Sequence, residues 1–114
     1  MIITSHAYVR QDGQAGPWQL GIYKDEVING LREMTHAVQK HGSRTIVQLA
    51  HAGLFANGKL SGQTPMALSQ AEGFAKSPRR EMTAEDIQGI VESFSQAARQ
   101  IGRASCRERV SSPV

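Results

Sequence analysis

The sequence is short of the groups that would mark a metal or redox centre. Cys106 is the only cysteine in 114 residues, so no disulfide can form within one chain and no cysteine-based metal site is present. Histidine does not make up the deficit. His6, His36, His41 and His51 contain no His-x-x-x-His pair, which argues against a zinc site. No apolar run approaches the length of a membrane span. The N-terminus lacks a basic stretch followed by an apolar one, so no signal peptide is evident. No Gly-x-Gly-x-x-Gly follows a strand and no Walker pattern occurs. A soluble cytoplasmic protein, without a membrane partner, is the expectation from these absences.

Charge adds one more exclusion. The formal net charge is +3, but it is unevenly placed. Residues 1–102 carry ten Lys and Arg against nine Asp and Glu, while residues 103–114 carry three Arg against one Glu. The body is nearly neutral. A nucleic-acid partner would need basic residues clustered on a folded face, so none is expected.

What is present reads as an α/β pattern. Met1 to Val9 is rich in β-branched residues and predicts a strand. Turn signals follow at Asp12-Gly13 and Gly16-Pro17. Residues 25–41 predict a helix, because Val27, Ile28, Leu31, Met34 and Val38 form one apolar stripe. Asp25 and Glu26 suit its positive N-terminal end, and Gly42 suits the position just past its C-terminus. Gly30, costly in mid-helix, is expected to permit close packing there. The apolar run from Thr45 to His51 predicts a second strand. Residues 52–82 make a long connection, and connections of that length are usually functional or mobile. Thr83 then caps another helix, with Asp86 in the place of a capping-box Glu and with Met82 and Ile87 at the staple positions. Its stripe continues through Ile90, Val91, Phe94, Ala97 and Ala98.

Strand, helix, strand in this order is a βαβ unit with parallel strands. Two parallel strands with two helices would leave much apolar surface wet, because parallel sheets are covered on both faces. A larger α/β fold is therefore expected, either a (βα)₈ barrel or a doubly wound sheet. In both, ligands bind at the C-terminal ends of the strands. Ser5, His6 and Ala7 approach that end of the first strand, and Gln48, Ala50 and His51 that end of the second. Gln48 can donate and accept at once, which suits a ring with adjacent N–H and C=O groups. It could equally be a structural amide bonded to loop backbone. His6 and His51 could line a pocket or serve the fold. His36 and His41 lie on different helix faces and are expected in solvent, as is Arg79-Arg80-Glu81. No triad or carboxylate pair stands out, so no catalytic residue is assigned.

In order along the chain, "IITSHAYV", "QLGIYKDEVINGL", "AVQKHGSRTIVQLAHAG" and "REMTAEDIQGIVESFSQAAR" resemble the Old Yellow Enzyme family of NAD(P)H:flavin oxidoreductases. The resemblance spans residues 1 to about 100, and the Gln-Leu-x-His-x-Gly signature is its most specific piece. It implies an FMN-binding TIM barrel, of which this chain covers strand 2 to helix 3. It also implies hydride transfer from NAD(P)H through FMN to a small-molecule activated alkene. Gln48 matches the Gln that contacts the flavin pyrimidine edge. His6 matches a strand-end residue that touches the isoalloxazine, often through backbone atoms. His51 matches the motif histidine, read as support for the site's edge.

Two departures accompany the resemblance. Leu54 stands where the family usually has Arg. The family's first strand, its fourth strand with the His-x-x-His/Asn pair that holds substrate oxygen, and its later phosphate-binding strands have no counterpart in these residues, against about 250 residues in a typical barrel. After Gln100 the family pattern gives way to "IGRASCRERVSSPV". Residues 101–110 resemble a translated sequencing adapter: CAG followed by ATCGGAAGAGCGTCGTGTAGGGAAAGAGTG reads through "QIGRASCRERV". Residues 1–100 are therefore expected to be a barrel fragment and 101–114 an artefactual or disordered tail, so Cys106 receives no functional reading. Two other readings stay open at this point: a non-catalytic truncated chain, and a small α/β interaction module without flavin. The substrate, the choice of NADH or NADPH, and the oligomeric state are not legible.

Overall fold

The computed structural model describes residues 1–69 and 79–104. Strand β1 (Ile2–Tyr8) leads through a 3-10 turn at Gln11–Gly13 to helix α1 (Ile28–Gln39). Strand β2 (Thr45–Ala50) follows, then a single helical turn α2 (Gly58–Ser61), a two-residue strand β3 (Met66–Ala67), its partner β4 (Arg80–Glu81), and the long helix α3 (Ala84–Ala104). β1 and β2 pair in parallel, as do β3 and β4. The expected βαβ unit is thus present. The long connection is less bare than its sequence suggested, since it contains α2, β3 and β4. Residues 70–78 of that connection, and residues 105–114 with Cys106, lie outside the described residues.

The first helix begins later than its apolar stripe suggested. Asp25–Val27 form a 3-10 turn and the α-helix starts at Ile28. Gly42 has the positive φ expected past a helix end, +80°. Gly30 does not serve close packing. It is exposed, and a Cβ there would meet nothing within 4 Å; its lack of a side chain faces open space.

The core lies between the β1–β2 pair and helices α1 and α3. Ala7, Val9, Ile22, Ile28, Leu31, Ala97 and Ala104 are buried together, with Val47, Leu49, Met34 and Phe94 packed against them. Alternation along a strand sends successive side chains to opposite faces. Ala7, Val47 and Leu49 therefore face the helices. The other face of the pair is left open among the described residues: Ile3 is 57% and Ile46 45% exposed. On α3, Val91 is 54% exposed. The wet apolar surface expected of so small a parallel sheet is present.

Helix α3 starts as its sequence predicts. The backbone N–H of Thr83 donates to Asp86 Oδ2 at 2.8 Å, and the Asp86 N–H donates to Thr83 Oγ1 at 3.2 Å. This is a reciprocal capping box with Asp in place of Glu. Arg80 completes it with two bonds to the Asp86 carboxylate, at 2.6 and 2.9 Å. Those bonds, foremost that from Arg80, hold the Asp86 carboxyl well below the usual carboxylate range. Arg80 is thus tied to the helix start rather than merely solvated. The helix continues four residues beyond Gln100, and Ala104 is 2% exposed.

Candidate functional site

The polar residues at the strand ends meet in register. His6 of β1 is the direct partner of Gln48 of β2. Both side chains are exposed, on the face opposite Ala7 and Leu49. Their meeting depends on an irregularity. Ile3 pairs with Ile46 and His6 with Gln48, so β1 takes three steps while β2 takes two. One extra residue on one strand is the signature of a β-bulge, which re-aims side chains. Thr4 serves the bulge: its hydroxyl accepts from the Gln48 backbone N–H at 3.2 Å and donates to the Ser5 carbonyl at 2.9 Å.

The segment after the first turn runs alongside β1. Tyr8 N–H donates to Leu20 O and Ile22 N–H donates to Tyr8 O, each at 2.9 Å. Gly21 is required here because the Tyr8 ring lies across it; a Cβ would come within 2.7 Å of Tyr8 Cζ. Tyr8 also stacks on Tyr23, with ring centroids 5.3 Å apart. Burial, and next the neighbouring Tyr23, push the Tyr8 phenol above its ordinary pKa. This pairing sets Gln19 beside His6. Gln19 Nε2 lies 2.6 Å from His6 Nδ1, and Gln19 Oε1 accepts from the Ala15 N–H at 2.7 Å. The preceding Trp18 has φ +64° and is 99% exposed.

His51 sits elsewhere. Its side chain is 6% exposed. The Gly53 N–H donates to Nδ1 at 3.0 Å, and Nε2 donates to Asp12 Oδ1 at 3.1 Å. Asp12, buried, also receives Arg10 Nε at 3.1 Å. A buried carboxylate needs such partners. His51 therefore ties the loop after β2 to the loop after β1, which is the supporting role its motif position implied.

Leu54 joins an apolar groove of about 590 Å³ with His51, Met82, Ile87, Val91 and Phe94. Neither His6 nor Gln48 lines that groove. His36 and His41 are exposed. Among the described residues no cluster of three or more metal-ligating side chains occurs, and no helix is long and apolar enough to cross a membrane.

Sequence reasoning missed Gln19, Thr4 and Asp12. Asp12 reads as half of an Asp-Gly turn, and Gln19 as a loop residue before "LGIYKDE". Only the pairing of distant segments gives them roles.

Comparison with known proteins identifies relatives of this chain. The chain is 34% identical over 100 residues to a probable NADH-dependent flavin oxidoreductase, YqiG, of Bacillus subtilis (strain 168), covering 87% of this chain and 27% of the relative. It is 34% identical over 106 residues to an NADPH dehydrogenase of Geobacillus sp. (strain WCH70), covering 91% of this chain and 30% of the relative. Among solved structures it superposes on the old yellow enzyme homologue of Zymomonas mobilis with a TM-score of 0.80 and 27% identity, over 90% of this chain and 32% of that one. The chain thus spans less than a third of the length of these relatives. The interaction module without flavin ancestry finds no support in these matches. Residues 1–106 match the model of one family, and the chain belongs to it: the NADH:flavin oxidoreductase / NADH oxidase family.

Proposed function

We propose that this chain supplies one arc of a (βα)₈ barrel in an FMN-dependent NAD(P)H oxidoreductase. The exposed face of β1 and β2 would form one wall of the flavin site. The observation that carries this reading is the in-register pair His6 and Gln48 on an uncovered sheet face. The Gln48 carboxamide has no partner among the described residues, and it offers an N–H and a C=O side by side. That donor set fits the pyrimidine edge of a flavin. The uncovered Ile3 and Ile46 on the same face, and Val91 on α3, are surfaces that further strands and helices of a barrel would cover.

When bound, FMN supplies hydride transfer from NAD(P)H to a small electron-poor alkene; the protein supplies binding, orientation and electrostatics. Gln48 would hold the ring edge by donating and accepting. His6 would meet the ring beside it. His51, Asp12 and Arg10 would keep the two strand-end loops in place. With a single wall, the chain alone is expected to bind FMN weakly and not to turn over NADPH. A purified chain that is yellow and oxidises NADPH would overturn that expectation.

The test uses the ¹⁵N-labelled chain titrated with FMN. Side-chain resonances of Gln48 and His6 should shift, and Gln48→Leu should weaken the binding about tenfold, the scale of one or two hydrogen bonds. Shifts confined to other residues would sink the reading. We also propose that residues 101–110 are an assembly artefact. Resequencing across the Gln100 codon tests this, and uninterrupted genomic reads through the tail would refute it.

A further inference from the structure

We propose that Gln19 is a positioning residue that fixes the His6 ring with its proton on Nε2, so that the His6 side chain itself serves as a hydrogen-bond donor to the ligand. The inference rests on the flavin reading for the identity of that ligand, and on geometry alone for the state of the ring.

The orientation of the Gln19 amide is determined by its other end. The Ala15 N–H can only donate, and it lies 2.7 Å from Gln19 Oε1. Gln19 Nε2 is then the atom facing His6, 2.6 Å from Nδ1 and 3.4 Å from the His6 carbonyl. An amide N–H₂ can only donate, so Nδ1 must accept with its lone pair. In a neutral imidazole the proton is then on Nε2. The backbone of Gln19 is itself held, because the next residue, Leu20, accepts from the Tyr8 N–H at 2.9 Å.

Stability does not account for this arrangement. His6 is exposed and the pair covers no apolar core. Immobilising a Gln and a His at the surface costs side-chain entropy. The return is a defined donor. No described residue hydrogen-bonds His6 Nε2, and the neighbouring Gln48 carboxamide is likewise unengaged. Together they present two donors and one acceptor from adjacent strands. A cyclic imide edge, with a ring N–H between two carbonyls, has the complementary sequence of groups. Flavin carries such an edge, as does uracil. With the proton on Nδ1 instead, Nε2 would present a lone pair and repel a carbonyl.

The test reads the ring directly. Long-range ¹H–¹⁵N correlation on the ¹⁵N-labelled chain should show His6 protonated on Nε2. Gln19→Leu should give mixed tautomers. Gln19→Glu keeps the acceptor for Ala15 but turns an acceptor toward Nδ1, and should move the proton there. A wild-type ring protonated on Nδ1, or a tautomer that neither substitution alters, would overturn the proposal whether or not flavin binds. In the FMN titration, Gln19→Glu and His6→Phe should each weaken binding about three- to tenfold. If Gln48→Leu weakens binding and these two do not, His6 is not a ligand donor and the proposal fails while the flavin reading stands. If none of the three changes binding, the flavin reading fails, and the tautomer still decides the role of Gln19.

Discussion

His51 and Asp12 meet just beyond the ends of two adjacent strands, Nε2 to Oδ1 at 3.1 Å, and are 39 residues apart in sequence. Removing the imidazole leaves the buried carboxylate of Asp12 held by its ion pair with Arg10. His51→Ala should lower stability by about 1–3 kcal/mol, the cost of an under-satisfied buried polar group. Urea unfolding of the chain checks this: the midpoint should fall with the slope unchanged. An unmoved midpoint would remove His51 from its supporting role.

Gly13 packs on the same imidazole. A Cβ there would come within 2.6 Å of His51 Cδ2. Gly13→Ala should therefore cost about 1–3 kcal/mol through overpacking. The same change in a His51→Ala background should cost much less, because the obstructing ring is gone. Additive losses would contradict this contact.

The N-terminus of α3 should respond to acid. Asp86 has a native pKa lowered chiefly by Arg80, with the Thr83 backbone adding to it. Its unfolded value is about 3.9. A lowered native pKa means that the contribution is whole above about pH 4 and is lost as the pH falls through the native value. Asp86→Asn should lower stability at neutral pH and flatten the acid limb of a stability–pH curve. Parallel curves for wild type and variant would show that Asp86 does not carry it.

Trp18 holds a left-handed backbone in full solvent. Such a conformation costs a residue with a Cβ about 1–2 kcal/mol, and glycine avoids it. Trp18→Gly should therefore be tolerated or stabilising by up to about 1 kcal/mol in denaturant melts, whereas Trp18→Val should destabilise. As Trp18 is the only tryptophan, wild-type emission should be that of a water-exposed indole. A blue-shifted maximum would contradict its exposure.

Thr4 supports Gln48 from the neighbouring strand. Thr4→Val keeps the shape but removes the hydroxyl that accepts the Gln48 N–H. A loss of about 1 kcal/mol is expected. Amide exchange at Gln48 should quicken, with that at Leu49 less affected. Equal protection in both proteins would exclude this support.

Local chemistry was the legible part of the sequence. The capping box at Thr83 and Asp86 needs only three intervening bonds along the chain, and the stripe from Val27 to Val38 needs only helical period. The βαβ order follows from those elements. Gln48 and His6 stood out because polar groups at the end of an apolar strand require explanation. Their pairing was not readable, because it depends on a bulge that leaves no composition signal. The Asp12–His51 tie and the Gln19–His6 contact were hidden for a related reason: each joins segments that only the tertiary fold brings together. Gly30 misled because mid-helix glycine can mark close packing or nothing at all.

The irregularity between Ile3 and His6 has a consequence in terms of parity. Counting by twos from Ile3 along an uninterrupted strand would bring Ser5, not His6, opposite Gln48, and would turn the imidazole toward the helices. A one-residue deletion at Thr4 or Ser5 would leave His6 two steps from Ile3 and still opposite Gln48, on a strand that no longer needs the bulge. Straightening the strand at its present length would instead lose the polar pair without any change to His6 or Gln48 themselves. In this strand, length is as much a determinant of the site as residue identity.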